Sequence, residues 1–260
     1  IDLLKQRIQL VSQVGEYKRD HGETGAFIRP GREGNMHRRI YAAFKDSAYD
    51  PRAVLQIWRI LISASTHHES PMTLSVMQRD QQQELYYMAR EYFGSFVELN
   101  TNSNPVHIIA DVYDRKSSIG ILPYPDDETN WWHSLAQYQQ PRVYIFAKLP
   151  LLASTPNETR ALALAEVAPE SSAKGDEQAD ESYFVITLED TVSTSRLQRV
   201  FQDNKLEPVF LNTATQAPMR SVLVRLDGFI SDQEPAIKAL SDTLQAQVAW
   251  LGAHPKAIAV

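Results

Sequence analysis

Seven polar side chains in the first seventy positions have the types and spacing of a site for a small anion. They are Arg7, Lys18, Arg29, Arg32, Glu33, Ser65 and Glu69. Arg7 and Lys18 are separated by about three helical turns, so both project from nearly the same face of a helix. Cationic residues on amphipathic helices are more often simply solvated, and on spacing alone this alternative stays open.

Charge and composition exclude several classes of function. The chain has 260 residues, a formal net charge of −6 and no cysteine, which excludes disulfides, thiolate nucleophiles, iron–sulfur clusters and cysteine-based zinc sites. Basic residues outnumber acidic ones only in the first seventy positions. Because they are interleaved with acids rather than forming a stripe, we expect a small anionic ligand there and no nucleic acid.

The sequence shows no recognisable targeting or transmembrane segment. No apolar run approaches the roughly 20 residues of a transmembrane helix, and no signal peptide is visible. We therefore expect a cytoplasmic protein with no membrane partner. Ile1 already lies inside a helical pattern, so we also expect that an N-terminal piece precedes it.

The elements that must position these side chains are helices. Apolar residues recur at helical spacing from Ile1 to Val14, a second helix is predicted from Pro30 to Phe44, and Asp50-Pro51 opens a third. Gly31 and Gly34 each weaken the second helix by roughly 1 kcal/mol relative to alanine. Their presence therefore requires a packing or ligand reason.

The pattern changes after residue 70 and indicates a multidomain α + α/β chain. Strands are predicted at 72–77, 96–99, 118–122 and 142–149, alternating with helices. This order predicts a small α/β lobe over residues 71–165 with a mainly parallel sheet. Residues 166–182 are small and acidic and predict a mobile linker. Residues 183–260 follow the order βαββαβ, which is the ferredoxin-like arrangement.

Three motifs in the helical segment resemble one enzyme family. They are IDLLKQRIQLVSQVGEYK (1–18), RPGRE (29–33) and IWRILISAST (57–66). In this order and spacing they resemble the all-helical chorismate mutases over residues 1–70. The resemblance implies a three-helix intertwined unit that rearranges chorismate to prephenate, with no cofactor and no metal.

The resemblance also implies a role for each candidate residue. Arg7 corresponds to an arginine that grips a substrate carboxylate, and Lys18 to a lysine at the ether oxygen and a carboxylate. Arg32 and Glu33 correspond to the pair at the ring carboxylate and the ring hydroxyl. Ser65 and Glu69 match the last-helix positions, with Glu69 where many members have Gln. Arg29 occupies a position where some members have an acidic residue, and we expect it to bind the substrate.

The chemistry of the rearrangement explains these residue types. The reaction is concerted and its substrate is a dianion, so it needs cations, best as arginine forks, rather than a nucleophile. Negative charge develops on the ether oxygen, where Lys18 and a donor at position 69 matter most. Glu69 must be protonated to donate, so we expect activity to fall as pH rises. The resemblance also implies a further arginine, donated across the dimer from the start of the first helix, which would lie ahead of Ile1.

Two other residue groups admit a ligand-binding interpretation. His67 and His68 are adjacent, and adjacent helical residues point about 100° apart, so we expect a polar helix end and no metal site. Trp131-Trp132-His133 follows Asp126-Asp127-Glu128. An aromatic pair that opens a helix is more often core than ligand cleft.

The rest of the chain resembles an enzyme and a regulatory domain of the same pathway. SIGILPYPDD (118–127) and QPRVYIFAKL (140–149) resemble one lobe of prephenate dehydratase. Pro141 and Val143 replace the Thr and Phe of that family, and only Arg142 remains. The lobe is about half of a two-lobed dehydratase, so dehydratase activity is not expected. Residues 183–260 are similar in topology to an ACT-type regulatory domain.

Three functions of different classes stay open. The first is a chorismate mutase of aromatic amino acid biosynthesis. The second is a non-catalytic regulatory or scaffold protein that binds a shikimate-pathway enzyme, and the third is an isochorismate pyruvate lyase on the same fold. Because three helices cannot bury their apolar faces alone, we expect a homodimer.

Overall fold

A computed structural model describes residues 1–22, 27–79, 83–125, 129–137, 143–153, 159–172 and 179–259. The helices in these residues are α1 (Asp2–Asp20), α2 (Pro30–Phe44), α3 (Pro51–Glu69), α4 (Glu84–Phe93), α5 (Pro105–Tyr113), α6 (Trp131–Leu135), α7 (Thr194–Asp203) and α8 (Pro235–Leu244). The strands are β1 (Thr73–Met77), β2 (Glu98–Asn102), β3 (Ile119–Pro123), β4 (Tyr144–Leu149), β5 (Leu152–Ala153), β6 (Ala161–Ala165), β7 (Asp180–Glu189), β8 (Pro208–Gln216), β9 (Met219–Asp227), β10 (Gln247–Pro255) and β11 (Ile258–Ala259).

The first three helices form where local signals predict them. Pro30 occupies the first turn of α2, where its missing N–H costs no hydrogen bond. The Asp50 side chain caps α3 by accepting from the backbone N–H of Arg52 at 2.9 Å. α3 packs against both α1 and α2. It therefore carries side chains toward each of them.

The α/β lobe has a mixed sheet, which corrects the prediction of a mainly parallel one. β1 pairs in parallel with β2 and β3, but β6 runs antiparallel between β3 and β4. β6 consists of the residues ALALA, all buried. Its alanine and leucine residues do not alternate with polar residues and are not β-branched. The sequence of this segment therefore carries no signal that predicts a strand.

The C-terminal unit has the predicted βαββαβ order, and its strands are arranged β10-β7-β9-β8. β10 also pairs in parallel with β4, where Gly252 lies opposite Ile145. Gly252 has φ +128°, and a Cβ there would lie 2.6 Å from the Ile145 backbone nitrogen, so this approach requires glycine. Within the described ranges the result is one sheet of nine strands, in the order β2-β1-β3-β6-β4-β10-β7-β9-β8.

The lobe and the ferredoxin-like unit also share a hydrophobic core. Trp131 and Trp132 of α6 belong to the same buried cluster as Tyr183, Leu223 and Leu251 of the C-terminal strands. If the two units were not in contact, the apolar residues of this shared cluster would be exposed to water. The two predicted units are therefore packed as one body.

The segment predicted as a mobile linker is ordered at both described ends. β7 begins at Asp180, and Asp180, Glu181 and Ser182 are buried. Ser172 is also buried, whereas 173–178 lie outside the described residues. The acidic and small residues that predict a solvated linker therefore include side chains that are buried in the folded protein. Along the described chain, no helix combines the length and apolarity that a bilayer crossing requires.

Candidate active site in the helical domain

α1 and α3 bring four of the predicted residues together. Lys18 Nζ lies 2.7 Å from Glu69 Oε2, and Arg7 Nη2 donates to Ser65 Oγ at 3.4 Å. Arg7 and Lys18 share one face of α1, and Ser65 and Glu69 are four residues apart on α3, so each pair lies along one side of its helix. The two helices therefore build a row of alternating cationic and oxygen-bearing side chains between them.

Arg7 has spare hydrogen-bonding capacity. Its Nε is buried without a hydrogen-bond partner among the described residues. Ser65 Oγ donates to the Leu61 carbonyl at 2.7 Å, so it serves Arg7 as an acceptor. The guanidinium carbon also lies over the Trp58 ring, 5.8 Å from its centre, at cation–π distance. An arginine held in this way can take a carboxylate by two parallel hydrogen bonds.

Lys18 and Glu69 form a partly sequestered ion pair. Their side chains are only 16% and 13% exposed, so water screens them less than a surface pair. The Lys18 ammonium also lies 4.4 Å from the centre of the Phe27 ring. The pair holds a cation and a carboxyl group close together at the end of the row that starts at Arg7.

The two predicted residues of α2 do not join this row as a pair. Arg32 is exposed, whereas Glu33 is buried and forms an ion pair with Arg59 Nη1 of α3. Burial alone would lower the pKa of Arg59, but the neighbouring Glu33 carboxylate raises it above its ordinary value. The structure therefore places Glu33 with Arg59, while the contact with a ring hydroxyl that the resemblance implies stays a prediction.

Sequence reasoning missed Arg59, although a signal for it exists. The residue interrupts the apolar run IWRILIS of α3, and a buried charge requires a partner of opposite sign. Trp58 is recognisable as an apolar residue from its spacing, but its contact with Arg7 is not. That contact depends on how α1 crosses α3.

Arg29 contacts a part of the chain far from the helical segment. Its Nε donates to Glu170 Oε1 at 3.0 Å, and its side chain is 58% exposed. The predicted substrate-binding arginine thus forms an ion pair with a carboxylate of the segment between β6 and β7.

The two other candidate groups have structural partners. His67 Nδ1 accepts from the backbone N–H of Met72 at 3.0 Å, and His68 Nε2 lies 2.9 Å from Ser12 Oγ. No group of metal-ligating residues occurs in the described ranges. Trp131 and Trp132 are core residues, while Asp126-Asp127-Glu128 lie outside the described residues.

A buried polar cluster joins the lobe to the ferredoxin-like unit and was not predicted. Glu181 Oε2 lies 3.1 Å from Lys148 Nζ, and Glu181 Oε1 lies 3.5 Å from Arg225 Nη1. His254 Nε2 lies 3.2 Å from Tyr183 Oη, and burial lowers the pKa of His254 to about 4. Four strands contribute these residues, so no local pattern could reveal the cluster. Pro141 and Arg142 of the dehydratase-like segment lie outside the described residues.

Comparisons with known proteins give one match to the helical segment and a fold likeness over most of the chain. Residues 1–70 match the family model of chorismate mutase type II. Prephenate dehydratase from Streptococcus mutans is similar in structure, with a TM-score of 0.50, 11% identity and coverage of 73% of this chain and 100% of that chain.

A second solved structure shows the same likeness. Prephenate dehydratase from Arthrobacter aurescens, solved in complex with L-Phe, has a TM-score of 0.50 and 9% identity, with coverage of 72% of this chain and 93% of that chain. At these identities the likeness shows the fold alone, and a search of curated proteins finds no match. The chain therefore carries an N-terminal chorismate mutase type II domain, followed by a region with the fold of the prephenate dehydratases.

Proposed function

We propose that the helical domain rearranges chorismate to prephenate. The observation that carries the proposal is the row formed by Arg7, Ser65, Lys18 and Glu69 between α1 and α3. A dianionic substrate needs a fixed arginine at one carboxylate and donors at the ether oxygen. This row supplies both within one site and without a nucleophile.

Each side chain has a distinct part in the proposed reaction. Arg7 holds a carboxylate through its guanidinium and so selects the compact substrate conformer. Lys18 faces the ether oxygen, where negative charge grows as the C–O bond breaks. Glu69 donates a hydrogen bond to the same oxygen when it is protonated. Arg32, exposed on α2, supplies the second cation for the dianion.

Loss of chorismate absorbance tests the proposal on the full chain. Lys18→Ala should lower kcat at least about a hundredfold, the loss expected for a group that acts on developing charge. Arg7→Ala and Arg32→Ala, which remove cations that hold carboxylates, should lower kcat/KM at least about a hundredfold. Arg52→Ala is the matched control because Arg52 is exposed and forms its ion pair with the neighbouring Asp50, outside the row of site residues. No turnover by the folded wild-type chain would favour the scaffold function, and pyruvate release from isochorismate would favour the lyase.

We further propose that the reaction sequence of this chain ends at prephenate. Pro141 and Val143 stand where the dehydratase resemblance expects Thr and Phe, and a proline lacks both the hydroxyl and the N–H that a threonine offers. The fold likeness to prephenate dehydratases makes the assay necessary. Phenylpyruvate formation from added prephenate would overturn this proposal.

A homodimer is proposed from the surface of α1. Leu3, Leu4, Leu10 and Val14 are 80%, 51%, 63% and 47% exposed. Large apolar side chains in one continuous helix indicate a surface that is covered by a partner. A second copy of the same helix would cover them with like residues.

A further inference from the structure

The first turns of α2 pack closely against residues 170–172 and against the end of β10. A Cβ added at Gly31 would overlap the carbonyl oxygen of Ser171 and lie 2.7 Å from that of Glu170. A Cβ added at Gly34 would overlap the ring of Pro255. Both glycines, which cost helix stability, are therefore explained by the close approach of this helix to residues 170–172 and to the end of β10.

Directed hydrogen bonds add to this close packing. Arg38 Nη2 donates to Ser172 O at 2.8 Å and to Ser172 Oγ at 2.7 Å. The Ser172 hydroxyl in turn donates to Asp180, and the Ser172 N–H donates to Asp180 Oδ2 at 2.9 Å. Asp180 is the first residue of β7. A continuous relay thus joins α2 to the ferredoxin-like unit.

α2 is also connected to the row of site residues. Trp58 Nε1 donates to Met36 Sδ at 3.2 Å, and the same Trp58 ring supports the Arg7 guanidinium. Arg32 follows Gly31 directly in the seated turn. A displacement of α2 would therefore move Arg32 and, through Trp58, would loosen Arg7.

We propose that Ser172 and Asp180, which lie outside the helical domain, are positioning residues of the mutase site and act through α2. This inference rests on the proposed mutase function. Arg7 and Arg32 hold carboxylates in both the ground state and the transition state, so misplacing them raises KM. Lys18 and Glu69 belong to α1 and α3, so the kcat that depends on them is preserved.

The test measures kcat and KM for chorismate on the full chain. Gly31→Ala should raise KM about tenfold and Ser172→Ala at least about threefold, with kcat within about threefold, since a shift near 1 Å suffices for large losses. Arg38→Met should behave like Ser172→Ala, and Arg38→Lys should recover part of the loss. Asn35→Ala is the control because Asn35 is exposed on the same helix.

The split between KM and kcat separates positioning from stability. A merely structural role would lower the folded fraction, so the apparent kcat would fall while KM stayed constant. That result, or a KM within about twofold of wild type in folded variants, would overturn the inference and leave the mutase proposal intact. An inactive wild-type chain would overturn both.

Discussion

The buried ion pair between Glu33 and Arg59 gives a sharp test, because sequence and structure assign Glu33 to different neighbours. The family resemblance implies that Glu33 meets a ring hydroxyl of the substrate. In the structure the Glu33 and Arg59 side chains are only 11% and 5% exposed. The Arg59 guanidinium also lies 4.5 Å from the ring centre of Tyr92 on α4.

The expected cost of Glu33→Ala follows from this burial. The substitution leaves the Arg59 charge buried without its carboxylate, and breaking such a pair costs about 3–5 kcal/mol. For a protein of this size the melting temperature should fall by roughly 10 °C. Glu33→Leu combined with Arg59→Met removes both charges, so it should recover most of the lost stability.

The assay combines thermal unfolding, followed by circular dichroism, with chorismate turnover below the unfolding transition. We expect Glu33→Ala to lose stability, and the double variant to regain it while keeping kcat/KM within about threefold of wild type. A melting temperature within about 2 °C of wild type, together with a large loss of kcat/KM in Glu33→Ala, would refute the reasoning. That outcome would place Glu33 at the substrate.

Three further predictions concern pH and assembly. Glu69→Gln should alter the pH dependence of mutase activity, because an amide donates a hydrogen bond at any pH whereas a carboxyl group donates only when it is protonated. Burial lowers the pKa of His37 to about 3 and of His254 to about 4. The unfolded chain therefore takes up these protons first, so unfolding free energy is full above about pH 6.5 and falls by about 2 kcal/mol per histidine at pH 5. Leu10→Asp should convert the proposed homodimer to monomers in light scattering, because it places a charge in the apolar surface of α1.

Each of these predictions has a direct control. A pH profile in Glu69→Gln that matches wild type would remove Glu69 from proton donation. In urea unfolding, His254→Gln should reduce the loss between pH 7 and pH 5 by about half, and an unchanged loss would contradict the assignment. Gln13→Asp, an exposed polar position of α1, should leave the dimer intact, and a dimeric Leu10→Asp would exclude this surface as the interface.

Local signals in the sequence determine most of the secondary structure. Pro30 and Asp50 mark the starts of α2 and α3, and helical spacing places Arg7 with Lys18 and Ser65 with Glu69 on their helix faces. The βαββαβ order of the C-terminal unit is also readable from its alternating elements. Such features depend on residues within a few positions of each other, so a linear pattern suffices.

Tertiary contacts alone decide what each face meets. Gly31 and Gly34 are recognisable as needing a reason, but the reason is close contact with residues more than a hundred positions away, the backbone at 170–171 for Gly31 and the Pro255 ring for Gly34. Glu33 and Arg59 pair because α2 and α3 bury both side chains together, and β4 and β10 merge two predicted units into one sheet because Gly252 permits their approach. Periodicity predicts which face of an element is buried. Which residues that face contacts is decided only when the whole chain is packed.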